Sequence, residues 1–177
     1  MKAIRNVIIF GVLVAVLVFS IRACMRKNPI TAEKFISHMS SNNFIVVDKL
    51  ASAQEGSVKQ DDNDRGVTTN IEATSVTNQA TVVFKIYETV TQAEDRYNYL
   101  VNSKKFMVSN KDPLTYNFTN DENFVTQNNG INYSRYYTRD INNNYTIFSR
   151  IENTIIEAKI DMDDKSYSES IISKLNY

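Results

Sequence analysis

With 177 residues, 42% of them apolar, and only four glycines and two prolines, the chain has the make-up of one folded domain, not of a collagenous, linker-rich or broadly disordered polypeptide. Its 20 basic and 20 acidic residues cancel unevenly: residues 1–27 hold five cations (Lys2, Arg5, Arg22, Arg26, Lys27) and no acid, leaving 15 basic against 20 acidic groups, a net of −5, in the rest. An acidic domain on a basic stem lacks the footprint of a nucleic-acid binder. The single cysteine, Cys24, excludes an internal disulfide or a cysteine-built zinc site in residues 28–177.

Residues 7–21 form an uncharged, valine-rich run between Arg5 and Arg22. As a helix it spans about 22 Å, short of the roughly 30 Å hydrocarbon core. Arg5 and Arg22 can snorkel and extend the usable stretch to residues 3–25. A strand would stop after half this length, and backbone in lipid must pair internally, so a single membrane-spanning helix is expected, with residues 1–27 as anchor and basic flank. Three other readings stand beside it. Ile21-Arg22-Ala23-Cys24 resembles a lipoprotein box that would lipidate Cys24, although Arg22 departs from that pattern. Ala23 can end a cleaved signal peptide, with Ile21 poorly suited at −3. A buried core segment is the fourth. The cations flanking the run balance; its place at the extreme N-terminus favours a single-pass cell-membrane protein with the domain outside the cytoplasm.

Beyond Asn28-Pro29, Thr31 caps an expected helix to about Ser41 with Ala32, Phe35, Ile36 and Met39 on one face. Asn42-Asn43 turns the chain into a short buried-strand pattern at residues 44–48. Residues 51–66 are polar and aperiodic, a long mobile loop. Strands are expected at 69–75 and 80–88, joined through Thr77-Asn78-Gln79. Thr91-Gln-Ala-Glu94 reads as a capping box for a helix to about Lys105 that buries Ala93, Tyr97, Leu100 and Val101. Five strands follow at 114–118, 124–127, 131–139, 145–150 and 154–161, with turns at 142–144 and at Glu152-Asn153. A last helix, 166–175, opens with Ser166-Tyr-Ser-Glu169 and buries Tyr167, Ile171 and Leu175. The order predicts an α+β fold for residues 28–177: a mostly antiparallel sheet with about three packed helices.

Ser149-Arg-Ile-Glu-Asn-Thr-Ile-Ile156 and Ile171-Ile-Ser-Lys-Leu-Asn-Tyr177, with the apolar run and Thr31-Ala-Glu-Lys-Phe35, resemble an uncharacterised family of membrane-anchored proteins from low-GC Gram-positive bacteria. The asparagine-rich, glycine-poor composition suits such AT-rich genomes. The resemblance implies a location and no activity.

Five groups of residues invite a chemical reading. Asp61, Asn63, Gly66 and Glu72 fall at positions 1, 3, 6 and 12 of a calcium-loop template. Arg65 occupies position 5, where an oxygen ligand belongs, and a strand follows instead of a helix, so a solvated acidic loop is the expectation. His38, the only histidine, sits at the margin of the first helix's apolar face without a nucleophile context. The pairs Asp121-Glu122 and Asp163-Asp164, with Asp161, fit turns and a helix start. Asn117, Asn132 and Asn144 head formal glycosylation sequons. The alternation Tyr133, Arg135, Tyr137, Arg139 is the strongest signal. It places two tyrosines and two arginines on one strand face, with Ser134, Tyr136 and Thr138 opposite; Tyr145 and Arg150 belong to the same hairpin. Such a face combines apolar area with hydrogen bonding, as interfaces and sugar or peptide sites do. The expected function is therefore a membrane-anchored, extracytoplasmic, non-enzymatic binding domain for an envelope protein or glycan, held to lipid through residues 7–21. A cell-envelope hydrolase with acidic catalytic residues is the alternative. No cofactor or metal motif is present.

Overall fold

The computed structural model describes residues 26–50, 64–76, 80–109, 126–139, 144–161 and 165–177, with Val14 alone ahead of them. The apolar run at 7–21, Cys24, Asp61, Asn63, the strand expected at 114–118, the turns at 77–79 and 142–143, and Asp121, Glu122, Asp163 and Asp164 lie outside the described residues. Among the described residues no helix is long and apolar enough to cross a membrane.

Among the described residues the fold is α+β: a seven-stranded, wholly antiparallel sheet with three helices. In chain order the elements are α1 (Ala32–Ser41), β1 (Phe44–Asp48), β2 (Val67–Ser75), β3 (Ala80–Tyr87), α2 (Val90–Ser109), β4 (Thr126–Asn129), β5 (Tyr133–Arg139), β6 (Asn144–Ile151), β7 (Thr154–Asp161) and α3 (Lys165–Lys174). The sheet order β1-β2-β3-β7-β6-β5-β4 joins two meanders, β1 to β3 and β4 to β7, at the β3–β7 pair, where Phe84 faces Ile156 and Val82 faces Ala158. α2 links the meanders across one face of the sheet, the back; α1 and α3 cover the other, the front.

Period-two alternation sorts the strands between two cores. The front core gathers Ile71, Val82, Phe84, Ile147, Ile156 and Ile160 beneath Phe35 and Met39 of α1 and Ile171, Ile172 and Leu175 near the end of the chain. Phe84 is its hub: its ring stacks on Phe35 at 5.0 Å and meets Tyr177 edge-on at 6.5 Å. The smaller back core sets Tyr136, Phe148 and Ile155 against Ala93, Tyr97 and Val101 of α2.

Local signals place the helix starts. Thr31 caps α1, its side chain accepting from the Lys34 amide at 3.3 Å, and Asn43 turns the chain with φ +62°. The capping box of α2 starts two residues earlier than expected, at Thr89 instead of Thr91. Thr89 accepts from the Gln92 amide at 3.2 Å, and the Gln92 carboxamide accepts from the Thr89 amide at 3.0 Å. Both Thr-x-x-Gln and Thr-x-x-Glu fit the box. The earlier one forms where Glu88 N–H bonds Gly66 O at 2.8 Å, bringing Gly66 (φ +80°) under the Gln92 side chain, which a Cβ would strike at 2.3 Å. α2 runs on to Ser109, four residues past the expected end.

Three burial expectations change. Ile36 lies at the margin of the α1 stripe and is exposed; Phe35 and Met39 fill its centre. Tyr167 is exposed, and Ile172 joins Ile171 and Leu175 in the core instead, because the face of α3 that meets the sheet is turned by about one residue. β1 is an edge strand with only Phe44 buried; Ile45 is 60% exposed on the back.

Tyr177 is buried, and its hydroxyl hydrogen-bonds Thr154 and the Ile30 backbone. Burial pushes that phenol up to about 12, and Tyr97 likewise to about 12. Both groups are raised above the ordinary value near 10, so their stabilising contribution is complete below pH 10 and is lost as pH climbs through 12. For Tyr177 the displacement is worth about 2–3 kcal/mol. Alkaline titration of the full chain by tyrosine absorbance and circular dichroism should show unfolding in that window, with a shallower pH dependence for Tyr177→Phe.

Candidate functional site

β5 and α3 diverge along the front of the sheet and leave a cleft of about 460 Å³ between them. Arg135 and Tyr137 of β5 and Ile147 of β6 form one wall; Ser166, Glu169, Ser170, Ile172 and Ser173 of α3, with Tyr177, form the other. The spacing 166, 169/170, 173, 177 places one helical face on the cleft. Its serines are too short to reach the strand, which leaves the gap open.

Of the four β5 residues singled out by alternation, the register confirms a shared front face: Tyr133, Arg135, Tyr137 and Arg139 sit opposite Ile151, Ser149, Ile147 and Tyr145. Their roles diverge. Arg135 and Tyr137 line the cleft. The ring of Tyr137 is backed by Tyr145, stacked at 6.0 Å and 20°. Tyr133 packs against the front core, and its ring lies over Gly130 so closely that a Cβ there would approach it to 2.0 Å. Arg139 is placed by its backbone opposite Tyr145; its side chain lies outside the described residues. Arg150 belongs to the back of the sheet, where its guanidinium bonds Glu152 O at 3.2 Å and sits 3.8 Å from Glu94. Tyr136 is buried under α2, stacked on Phe148.

The cleft is polarised. At one end stands Arg135, whose Nε is buried with no hydrogen-bond partner. Lys27 is seated beside this end. Asn132 bonds it on both sides, accepting from the Lys27 amide at 3.0 Å and donating to the Lys27 carbonyl at 2.7 Å. The Lys27 ammonium donates to Asn176 O at 2.8 Å and lies 4.9 Å above the Tyr133 ring. Burial first, and then the charge of Arg135, hold that ammonium below the usual lysine range. Among the described residues neither cation pairs with a carboxylate. Toward the other end, Glu169 takes a hydrogen bond from Tyr145, whose phenol is raised by burial and then by that carboxylate.

Compared with models of known families, with curated proteins and with solved structures, the chain matches none. Function therefore rests on the site itself. Among the described residues the cleft's lining carries a single acidic side chain, Glu169, and no pair of acids that could flank a scissile bond. Among the described residues no group of three or more His, Cys, Asp or Glu side chains gathers to hold a metal. Glu72, the last position of the calcium template, sits on β2 and pairs with Lys49 at 2.9 Å. Nor is the acidic segment wholly solvated, as expected: Asp64 is drawn onto the back of the sheet by Lys85 at 2.9 Å, in a cluster with Glu157 and Arg96. His38 bridges helices, its Nε2 lying 3.0 Å from Ile171 O. Asn132 is buried with both amide atoms engaged, so its sequon offers no nitrogen for glycan attachment in the folded state.

The shared face of Arg135 and Tyr137 is legible in the sequence, and the helix wall is not. Ser166, Ser170 and Ser173 alternate with the buried Ile171, Ile172 and Leu175 at helical spacing, a polar flank visible in the sequence. What it faces depends on where α3 docks.

Proposed function

We propose that this protein is a membrane-anchored, non-enzymatic binding domain whose ligand, a hydroxyl-rich molecule such as an envelope glycan, occupies the cleft between β5 and α3. One observation carries the reading: an unpaired guanidinium (Arg135) and a half-buried aromatic (Tyr137) face a wall of serine hydroxyls and one carboxylate across 460 Å³. An aromatic face with convergent donors and acceptors is the chemistry that orients sugars. The uncharged run at 7–21 and the resemblance to membrane-anchored proteins support attachment to a cell membrane, and the run's place near the N-terminus favours the domain outside the cytoplasm; the five cations of residues 1–27 suit phospholipid headgroups.

The full chain in a sugar-free nonionic detergent should give saturation-transfer NMR signals with cellobiose or N,N′-diacetylchitobiose. Tyr137→Ala should weaken that binding about tenfold or more, measured at a temperature where circular dichroism shows the variant still folded, because the ring also packs on Tyr145 and the front core. Silence from both sugars would count against a glycan ligand. Appearance of reducing ends on incubation would favour the hydrolase instead.

A further inference from the structure

The cleft has a direction relative to the stem. β5 begins at Tyr133 and α3 ends beside Asn176, and both meet Lys27. The Lys27 end of the cleft is therefore the end of Arg135, Ser173 and Tyr177; Tyr137 on the strand and Glu169 on the helix lie about 6–7 Å farther along, and Ser166 about 10 Å. Lys27 is pinned to the fold by Asn132, and Asn132 is itself held by Glu152 at 3.0 Å. From Ile21 to Lys27 is six residues, which reach at most about 20 Å fully extended. A chain anchored through residues 7–21 keeps Lys27, and with it the cationic end of the cleft, within that distance of the bilayer.

Two cations held side by side without a carboxylate repel one another, and an anion between them removes the cost. Its natural form is one that accepts from a guanidinium fork and an ammonium together, a phosphate. The part of the ligand beyond it meets Tyr137, Glu169 and the serines, which favour hydroxyls over apolar or cationic groups.

We infer that the cleft takes the headgroup of a phosphate-containing membrane lipid, its phosphate at Arg135 and Lys27 and a hydroxyl-bearing head along Tyr137, Ser170 and Glu169. This rests on the proposed binding function and on the anchor at residues 7–21.

The Arg135 Nε–H reports directly, being buried and unbonded in the free protein. Its ¹⁵N–¹H signal, assigned by its loss in Arg135→Lys, is followed in the full chain in the same micelles. These are doped with dioleoyl phosphatidylglycerol or with dioleoyl phosphatidylcholine, or left undoped and titrated with glycerol 1-phosphate. The glycerol lipid should shift the signal saturably. The choline lipid, whose head adds a cation and no hydroxyl, should bind about tenfold or more weakly. Glycerol 1-phosphate should require far higher concentration, because it lacks the enrichment the bilayer gives. Arg135→Ala should weaken phosphatidylglycerol binding, read by thermal shift, about tenfold to a hundredfold, with Arg135→Lys intermediate. Equal binding of free and lipid-borne glycerol phosphate would overturn the lipid source, and equal response to both lipids would overturn the hydroxyl head. If the disaccharides bind and neither phosphate does, the inference fails and the glycan-binding reading stands. If none binds, both fail.

Discussion

Replacing Lys85 with methionine is expected to destabilise the protein by about 3–5 kcal/mol, the cost of removing one partner from a buried ion pair. The ammonium, its side chain 7% exposed, touches Asp64 at 2.9 and 3.1 Å and Glu157 at 3.2 Å. Arg96 stands off at 3.7 and 4.0 Å from the same two acids, too far to hydrogen-bond them. Methionine keeps the stem and deletes the charge, so two carboxylates under α2 would lose their closest cation, with Arg96 standing off from both. Chemical denaturation of the full chain in micelles, followed by near-ultraviolet circular dichroism of its tyrosines, measures the loss. Adding Glu157→Gln to Lys85→Met should restore part of it by removing one of the stranded charges. A loss under about 1 kcal/mol would mean that the cluster is hydrated and behaves as a surface pair.

That cluster also marks where sequence reading reaches its limit. Asp64 belongs by composition to a polar, aperiodic stretch, and nothing nearby distinguishes it from Asp61 or Asp62. Its partner Lys85 lies on β3 and Glu157 on β7, a pair of strands that meet across more than 70 residues of chain. Local patterns cannot carry such information, because period-two alternation states which residues share a face and not which strands are neighbours. The same distinction runs through the candidate site. Arg135 and Tyr137 were legible because alternation alone puts them on one face. Tyr133 satisfied the same pattern yet is occupied by Gly130 and Lys27, contacts made by a turn and by the stem. The helix wall was hidden for a related reason: α3 was expected from its cap and spacing, but a shift of about one residue in its buried face exchanges Tyr167 for Ile172 and decides which serines meet the strand. By contrast, Thr31, Asn43 and the span of β7 follow from side chains acting on their own backbone, and these are legible in the sequence.

Phe84→Ala is expected to cost about 3–5 kcal/mol, the range for emptying a buried aromatic site. The ring is fully buried in the middle of the sheet, flanked on β2 and β7 by Ile71 and Ile156. Among the described residues it is the side chain in ring contact with both Phe35 of α1 and Tyr177 beyond α3. Its removal therefore loosens both front helices from one point. Phe84→Leu keeps most of the volume and should lose less than half as much. Both variants should leave the denaturant dependence of the unfolding free energy unchanged, since they alter packing and not the area exposed. Tyr177 is also part of the cleft wall, so the two variants separate packing from binding. Phe84→Leu should hold Tyr177 in place and retain ligand affinity. Phe84→Ala, measured well below its melting temperature, should weaken binding although no atom of Phe84 lines the cleft. Equal affinity in both would mean that the Tyr177 ring is positioned by Thr154 and Ile30 through its hydroxyl alone, and that the core beneath the site can relax without moving its wall.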